Sequence, residues 1–221
     1  MTTTTQTHSA RSAITARALR QLGLLWAGAA LAASAWAAGI HEEGYILEAP
    51  TWRNEVAGVP SPDWPVDGWY RLTPSGKSIE VQAVTPSETD RMEWDEATYV
   101  RVPGARLKEG RRPVYRFSNV ILRPKAGHQY ELMLGKTRFS FVVESNEQGT
   151  QYAITYGGET HTYTLGQAAA ATRVHTVADL DGDAMPDFLV EVGDETFLLL
   201  STKAQPGANP PSAQLWAMGG C

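Results

Sequence analysis

One cysteine in 221 residues, Cys221, leaves no intramolecular disulfide framework to hold the fold. Positive charge is also scarce: 19 Lys and Arg stand against 24 Asp and Glu. A phosphate backbone needs a basic face, so nucleic acid is not an expected partner. No Gly-x-Ser-x-Gly elbow, phosphate loop or Cys/His nucleophile pattern occurs. His41, His128, His161 and His175 lack the spacing of a helical zinc motif. After residue 38 no apolar run approaches the roughly 20 residues that span a bilayer.

What is present begins with a leader. Residues 1–21 carry Arg11, Arg17 and Arg20 and no acid. A Leu- and Ala-rich run fills 22–33, and the small-x-small triplet Ala35-Trp36-Ala37 follows. That is the order of a secretory signal. Residues 1–37 are therefore expected to be a signal peptide, and the mature chain periplasmic or secreted. An uncleaved anchor is the alternative, although the 17 residues of 22–38 fall short of roughly 20. No Cys follows the run to take a lipid, and no Arg-Arg pair precedes it, which points to general secretion.

Without the leader, 16 basic residues face 24 acidic ones, a net charge of −8. Residues 38–138 hold 14 of each sign, whereas 139–221 hold two basic residues, Arg173 and Lys203, and ten acidic ones. The whole excess sits in the last third, so a local role for the acids is expected.

Residues 38–67 read as a Pro-rich extended segment, because Pro50, Pro60, Pro62 and Pro65 exclude a long helix. From residue 68 the texture is that of short strands. Runs at 69–72, 78–84, 99–102, 115–117, 120–122, 130–134, 137–143, 152–156, 160–165, 173–177, 188–192 and 196–200 alternate polar and apolar residues or are apolar throughout. Gly135-Lys136 and Gly157-Gly158 sit where hairpin turns belong. The expected fold is all-β, a sandwich or barrel-like arrangement of short antiparallel strands. It divides into 68–145 and 146–221, with 68–221 as a single domain the alternative.

The strongest local signal is Asp179-Leu180-Asp181-Gly182-Asp183-Ala184-Met185-Pro186-Asp187. Carboxylates fall at positions 1, 3, 5 and 9 of a tightly turned loop between two strand runs. Ca²⁺ takes six to eight hard oxygen ligands in a flexible cage, and the carbonyl of Met185 at position 7 can add one. Position 12 is Val190, where a helix-loop-helix calcium motif needs a bidentate Glu, so the loop is not of that kind. Residues 177–190 instead resemble the calcium-loop repeat of the FG-GAP or VCBS type, over about 30 residues, 173–201. The resemblance implies Ca²⁺ bound by Asp179, Asp181, Asp183, Asp187 and the Met185 carbonyl. One position departs from the pattern: Ala184 stands where Gly is frequent, and a left-handed backbone there costs about 1 kcal/mol. A single repeat cannot close a propeller. An unmetallated acidic hairpin loop is the alternative.

Arg101, Arg106, Lys108, Arg111, Arg112 and Arg116 make a basic stretch. It could meet an anionic glycan, a lipid headgroup or the acidic third of the chain itself, or be a solvated loop. Trp52, Trp64, Trp69 and Trp94 with Tyr70 and Tyr99 make either an aromatic sugar platform or core. The four histidines read as surface or strand-face residues, with His161 and His175 potential neighbours. Cys221 is a free thiol or half of a disulfide linking two copies. The reading is thus an exported, non-enzymatic, calcium-stabilised binding or structural protein of the cell envelope, with an envelope protein or a glycan as partner. An inhibitor or immunity-type protein blocking its partner through a surface loop, for which 101–116 is the candidate, and a hydrolase with unidentified carboxylates remain open.

Overall fold

Among the described residues, alternation of buried and exposed side chains builds fourteen strands in two sheets, as expected for an all-β chain. The computed structural model describes residues 43–57, 64–87, 97–115 and 121–215. The leader, His41, Trp94, Arg116, Trp216 and Cys221 lie outside them, as does most of the strand run at 115–117. Among the described residues no helix is long and apolar enough to cross a membrane.

The strands in chain order are β1 (Tyr45–Glu48), β2 (Trp69–Ser75), β3 (Ser78–Val84), β4 (Thr98–Arg101), β5 (Gly110–Pro113), β6 (Tyr130–Leu134), β7 (Thr137–Asn146), β8 (Gly149–Tyr156), β9 (Glu159–Leu165), β10 (Thr172–Ala178), β11 (Asp187–Val192), β12 (Glu195–Leu199), β13 (Gly207–Asn209) and β14 (Ala213–Leu215). The large sheet runs β10-β11-β12-β14-β1-β4-β2-β3-β5, and the small sheet β13-β9-β8-β7-β6. Ile40–Cys221 forms one unit by chain contacts. A division near residue 145 would cut β7, and the large sheet takes strands from both sides of it.

The large sheet curls until its two edges meet. Just past β5, Val114 bridges to Ala178 at the end of β10, and the Tyr115 N–H donates to the Val177 carbonyl at 2.8 Å. Leu122 bridges to Val174 further along the same strand. This seam makes the sheet barrel-like and removes most of the free edge of β10. The barrel interior holds Ile46, Leu72, Val81, Val100, Leu180 and Leu198. The end of β12 is buried on both faces: Leu198 faces the barrel interior, while Phe197 and Leu199, with Val174 of β10 and Phe188 and Val190 of β11, pack outward against Phe139, Phe141, Tyr152 and Ile154 of the small sheet. This double burial explains why 196–200 reads as an apolar run rather than an alternating one.

The Pro-rich segment is less extended than its composition predicts. After β1 the chain coils through Ala49–Thr51 and a π-type turn at Trp52–Val56, with Pro50 in the first turn, where a missing N–H costs nothing. Packing drives this: Trp52 and Val56, four residues apart, cover the face of β1, β2 and β4. Trp52 stacks on Tyr99 at 4.3 Å and meets Trp69 edge-on at 5.0 Å, while Trp64 meets Tyr45 at 5.4 Å. Trp52, Trp64, Trp69 and Tyr99 are buried and form core, while Tyr70 is half-buried against the barrel interior.

Candidate metal centre

The acidic loop joins β10 to β11 at the barrel seam, so both chain ends of the loop are fixed by sheet hydrogen bonds. Its backbone is held from outside as well. The Lys108 N–H donates to the Leu180 carbonyl at 2.7 Å, and the Thr137 hydroxyl donates to the Ala184 carbonyl at 2.8 Å. Gly182 turns at φ +88°, a conformation that favours glycine, and a Cβ there would push the Lys108 side chain aside. Ala184 also sits in the left-handed region, at φ +68°.

Three of the four loop carboxylates come together. Asp179, Asp181 and Asp187 each offer one oxygen, and these oxygens all lie within 4.8 Å of one another. Asp187 is 0 % exposed. One of its oxygens accepts from the Leu180 N–H at 2.6 Å and the Asp181 N–H at 3.4 Å, the other from the Ser201 N–H and hydroxyl, both at 2.8 Å. Burial pushes this carboxyl well above the usual carboxylate range, and the Asp181 charge adds to the push, against the pull of those donors. Asp181 is raised too, first by burial, although its carboxylate accepts from the Thr202 hydroxyl at 2.6 Å.

Asp183 is used differently. One oxygen accepts from the Met185 N–H at 2.7 Å, and the other lies 2.9 Å from the Ser201 hydroxyl, whose one proton it shares with Asp187. Asp179 caps the Gly182 N–H at 2.7 Å, while Arg112 of β5 donates to its carboxylate at 3.0 Å and its carbonyl at 2.9 Å. Arg112 therefore answers the acidic third of its own chain across the seam. Four residues of the basic stretch, residues 110–113, form a strand rather than a loop, because they pair with β3 and put Arg111 opposite Glu80.

Ser201 and Thr202, in the short helical turn Ser201–Lys203, are residues that loop spacing does not reveal. Their signal lies in the hairpin: Phe188 pairs with Leu199, so the residues flanking that pair, Asp187 and Leu200, are neighbours, and Ser201 follows at once. Tyr156 from β8 completes the surroundings. Its hydroxyl is buried and has no hydrogen-bond partner among the described residues. Burial raises this phenol most, followed by Tyr163 and the charges of Asp187, Asp183 and Asp181.

The remaining candidates separate. His161 on β9 stacks on Tyr156 at 4.4 Å and bonds the Gln205 carbonyl, whereas His175 on β10 meets Glu191 at 2.8 Å, with Arg173 on the other Glu191 oxygen. No protein-family model, curated relative or solved structure matches the chain.

The cluster fits a hard cation on its own chemistry. All its donors are oxygens, opposite ligands of a Ca²⁺ ion lie at most about 5 Å apart, and an orphaned buried hydroxyl stands within electrostatic reach. Charges this close and this buried repel unless a cation or proton intervenes.

The strained Ala184 gives a prediction. Ala184→Gly relieves about 1 kcal/mol of left-handed crowding, partly offset by the freedom glycine adds to the unfolded chain. A net gain of up to about 0.6 kcal/mol is expected, a rise in Tm of up to about 2 °C in a thermal melt. A lower Tm contradicts the strain.

Proposed function

We propose that loop 179–187 holds a Ca²⁺ ion that stabilises the fold of an exported, non-enzymatic binding or structural protein of the cell envelope. The observation that carries this is the convergence of Asp179, Asp181 and Asp187 at the barrel seam, where Arg112 pairs with Asp179. The spacing of the FG-GAP or VCBS type supports Ca²⁺ over other hard cations and assigns Asp183 and the Met185 carbonyl to the same ion. The leader-like order of residues 1–37 supports export. In an exported chain with one Cys, a bound ion supplies stability that disulfides provide elsewhere. An envelope protein or a glycan is the partner class.

Calorimetric melts test the stabilising role. Ca²⁺ at about 100 times its Kd adds roughly 2.7 kcal/mol, so chelation is expected to lower Tm by about 5–11 °C. Asp181→Ala removes a central ligand and is expected to melt identically with Ca²⁺ and with chelator. Wild-type melts that coincide in the two conditions overturn the proposal.

A further inference from the structure

Among the described residues, strand β6 is an edge of the small sheet, with β7 on one side and no strand on the other. The turn Gly135-Lys136 pairs Leu134 with Thr137, and the ladder continues through Leu132–Phe139 and Tyr130–Phe141. In a two-residue hairpin the closing pair exchanges its backbone hydrogen bonds, and such pairs alternate along the strand. The N–H and C=O of Glu131 and Met133 therefore point away from β7. No backbone hydrogen bond among the described residues reaches them from outside the sheet.

This edge lacks the usual protections. It has no Lys, no Pro and no bulge, and its one charge is Glu131. Met133 is 49 % exposed, and Leu132 is only partly buried against the core between the sheets. Ile121, 37 % exposed, adjoins Leu122, which packs on that same core.

We propose that β6 pairs antiparallel with β6 of a second copy of this chain, joining two small sheets into one across a twofold axis. The strand complements itself in one register. With Leu132 opposite Leu132, each Glu131 faces Met133 of the other copy, and both pairs exchange the backbone groups that β7 leaves free. The inward Leu132 side chains then meet at the close, non-hydrogen-bonded position and cover each other. On the outer face Arg138 neighbours Met133 within one chain. The row across the junction thus reads Ser140, Glu131, Met133, Arg138, which sets Glu131 of one copy and Arg138 of the other on either side of one methionine with opposite charge. No like charges stand directly opposite. The contact is isologous, so it closes at two copies.

Sedimentation equilibrium of the full chain, with reductant present so that no Cys221 bridge contributes, is expected to show a reversible monomer–dimer equilibrium. Glu131→Pro removes an outward N–H that β7 does not use, so it is expected to give a folded monomer whose Tm matches that of wild type diluted to monomer. Met133→Glu sets a carboxylate directly opposite Glu131 of the other copy and is expected to give the same result by a separate route, which decides the matter if the proline variant unfolds. A wild type that stays monomeric at every concentration, a dimer that reductant dissolves, or a dimer that survives in a folded variant overturns the proposal.

Discussion

Phe188→Ala is expected to destabilise the protein by about 3–5 kcal/mol, the range for a fully buried aromatic truncated in a packed core. Phe188 is 0 % exposed and sits where the two sheets meet. Its ring meets Phe139 edge-on at 5.8 Å and Phe141 at 5.5 Å, both from β7. Removing it opens a void that backbones fixed in two sheets cannot close, so cavity cost adds to lost transfer energy. In a chain of this size the Tm drop is on the order of 10 °C. Phe188→Leu keeps most of the volume and is expected to cost less than half as much. Because Phe188 follows Asp187 directly, the Ala variant is also expected to weaken the proposed Ca²⁺ site, as the strand that aims Asp187 loosens. A variant that melts within a degree or two of wild type, by calorimetry at matched Ca²⁺, contradicts this account of the interface.

The strand carrying Phe188 also shows which features the sequence makes legible. Local patterns were enough for β3, whose alternation reads directly from Ser78 to Val84, and for the Gly157-Gly158 hairpin, where both residues adopt positive φ. Non-local causes were not legible. β5, Gly110–Pro113, has no apolar pattern and becomes a strand only because β3 offers it a partner. β14 lies parallel to β1, and Gly44 beside it is packed so closely that a Cβ would meet the Ser212 carbonyl oxygen at 2.0 Å. Nothing local announces a pairing between residues so far apart. The acidic loop follows the same division. Its spacing pointed to the four acids, and to the strain at Ala184, where φ is positive. Which acids converge, and the supply of hydroxyls from Ser201 and Thr202, depend on hairpin register and on a seam closed by residues 112–115.

Asp187→Ala is expected to be the most damaging change within the loop, because Asp187 serves the fold before it serves any ion. Its carboxylate takes the buried N–H groups of Leu180 and Ser201. Each donor left unpaired costs about 1–3 kcal/mol, so roughly 2–6 kcal/mol is lost even with chelator present. Asp187→Asn is not expected to rescue it, since the amide nitrogen must face one of those two donor sets. The same residue gives the metal-free protein an unusual pH response. Its folded-state pKa lies well above the ordinary 3.8, chiefly through burial, and Asp181 shifts the same way. Between 3.8 and that raised value the fold holds a proton that the unfolded chain has released, so ionisation costs more in the folded state. The stabilising share of the protonated group is complete below 3.8 and is lost as pH rises through the folded value. Chelated wild type is therefore expected to melt higher at mildly acidic pH than at neutral pH, relative to Asp187→Ala measured alongside. With Ca²⁺ bound, the cation takes over the compensation that the proton otherwise provides, and the slope is expected to flatten. Melts across pH, with and without chelator, read both effects. A chelated wild type that gains stability toward neutrality, relative to Asp187→Ala, contradicts the assignment of the buried charge to Asp187.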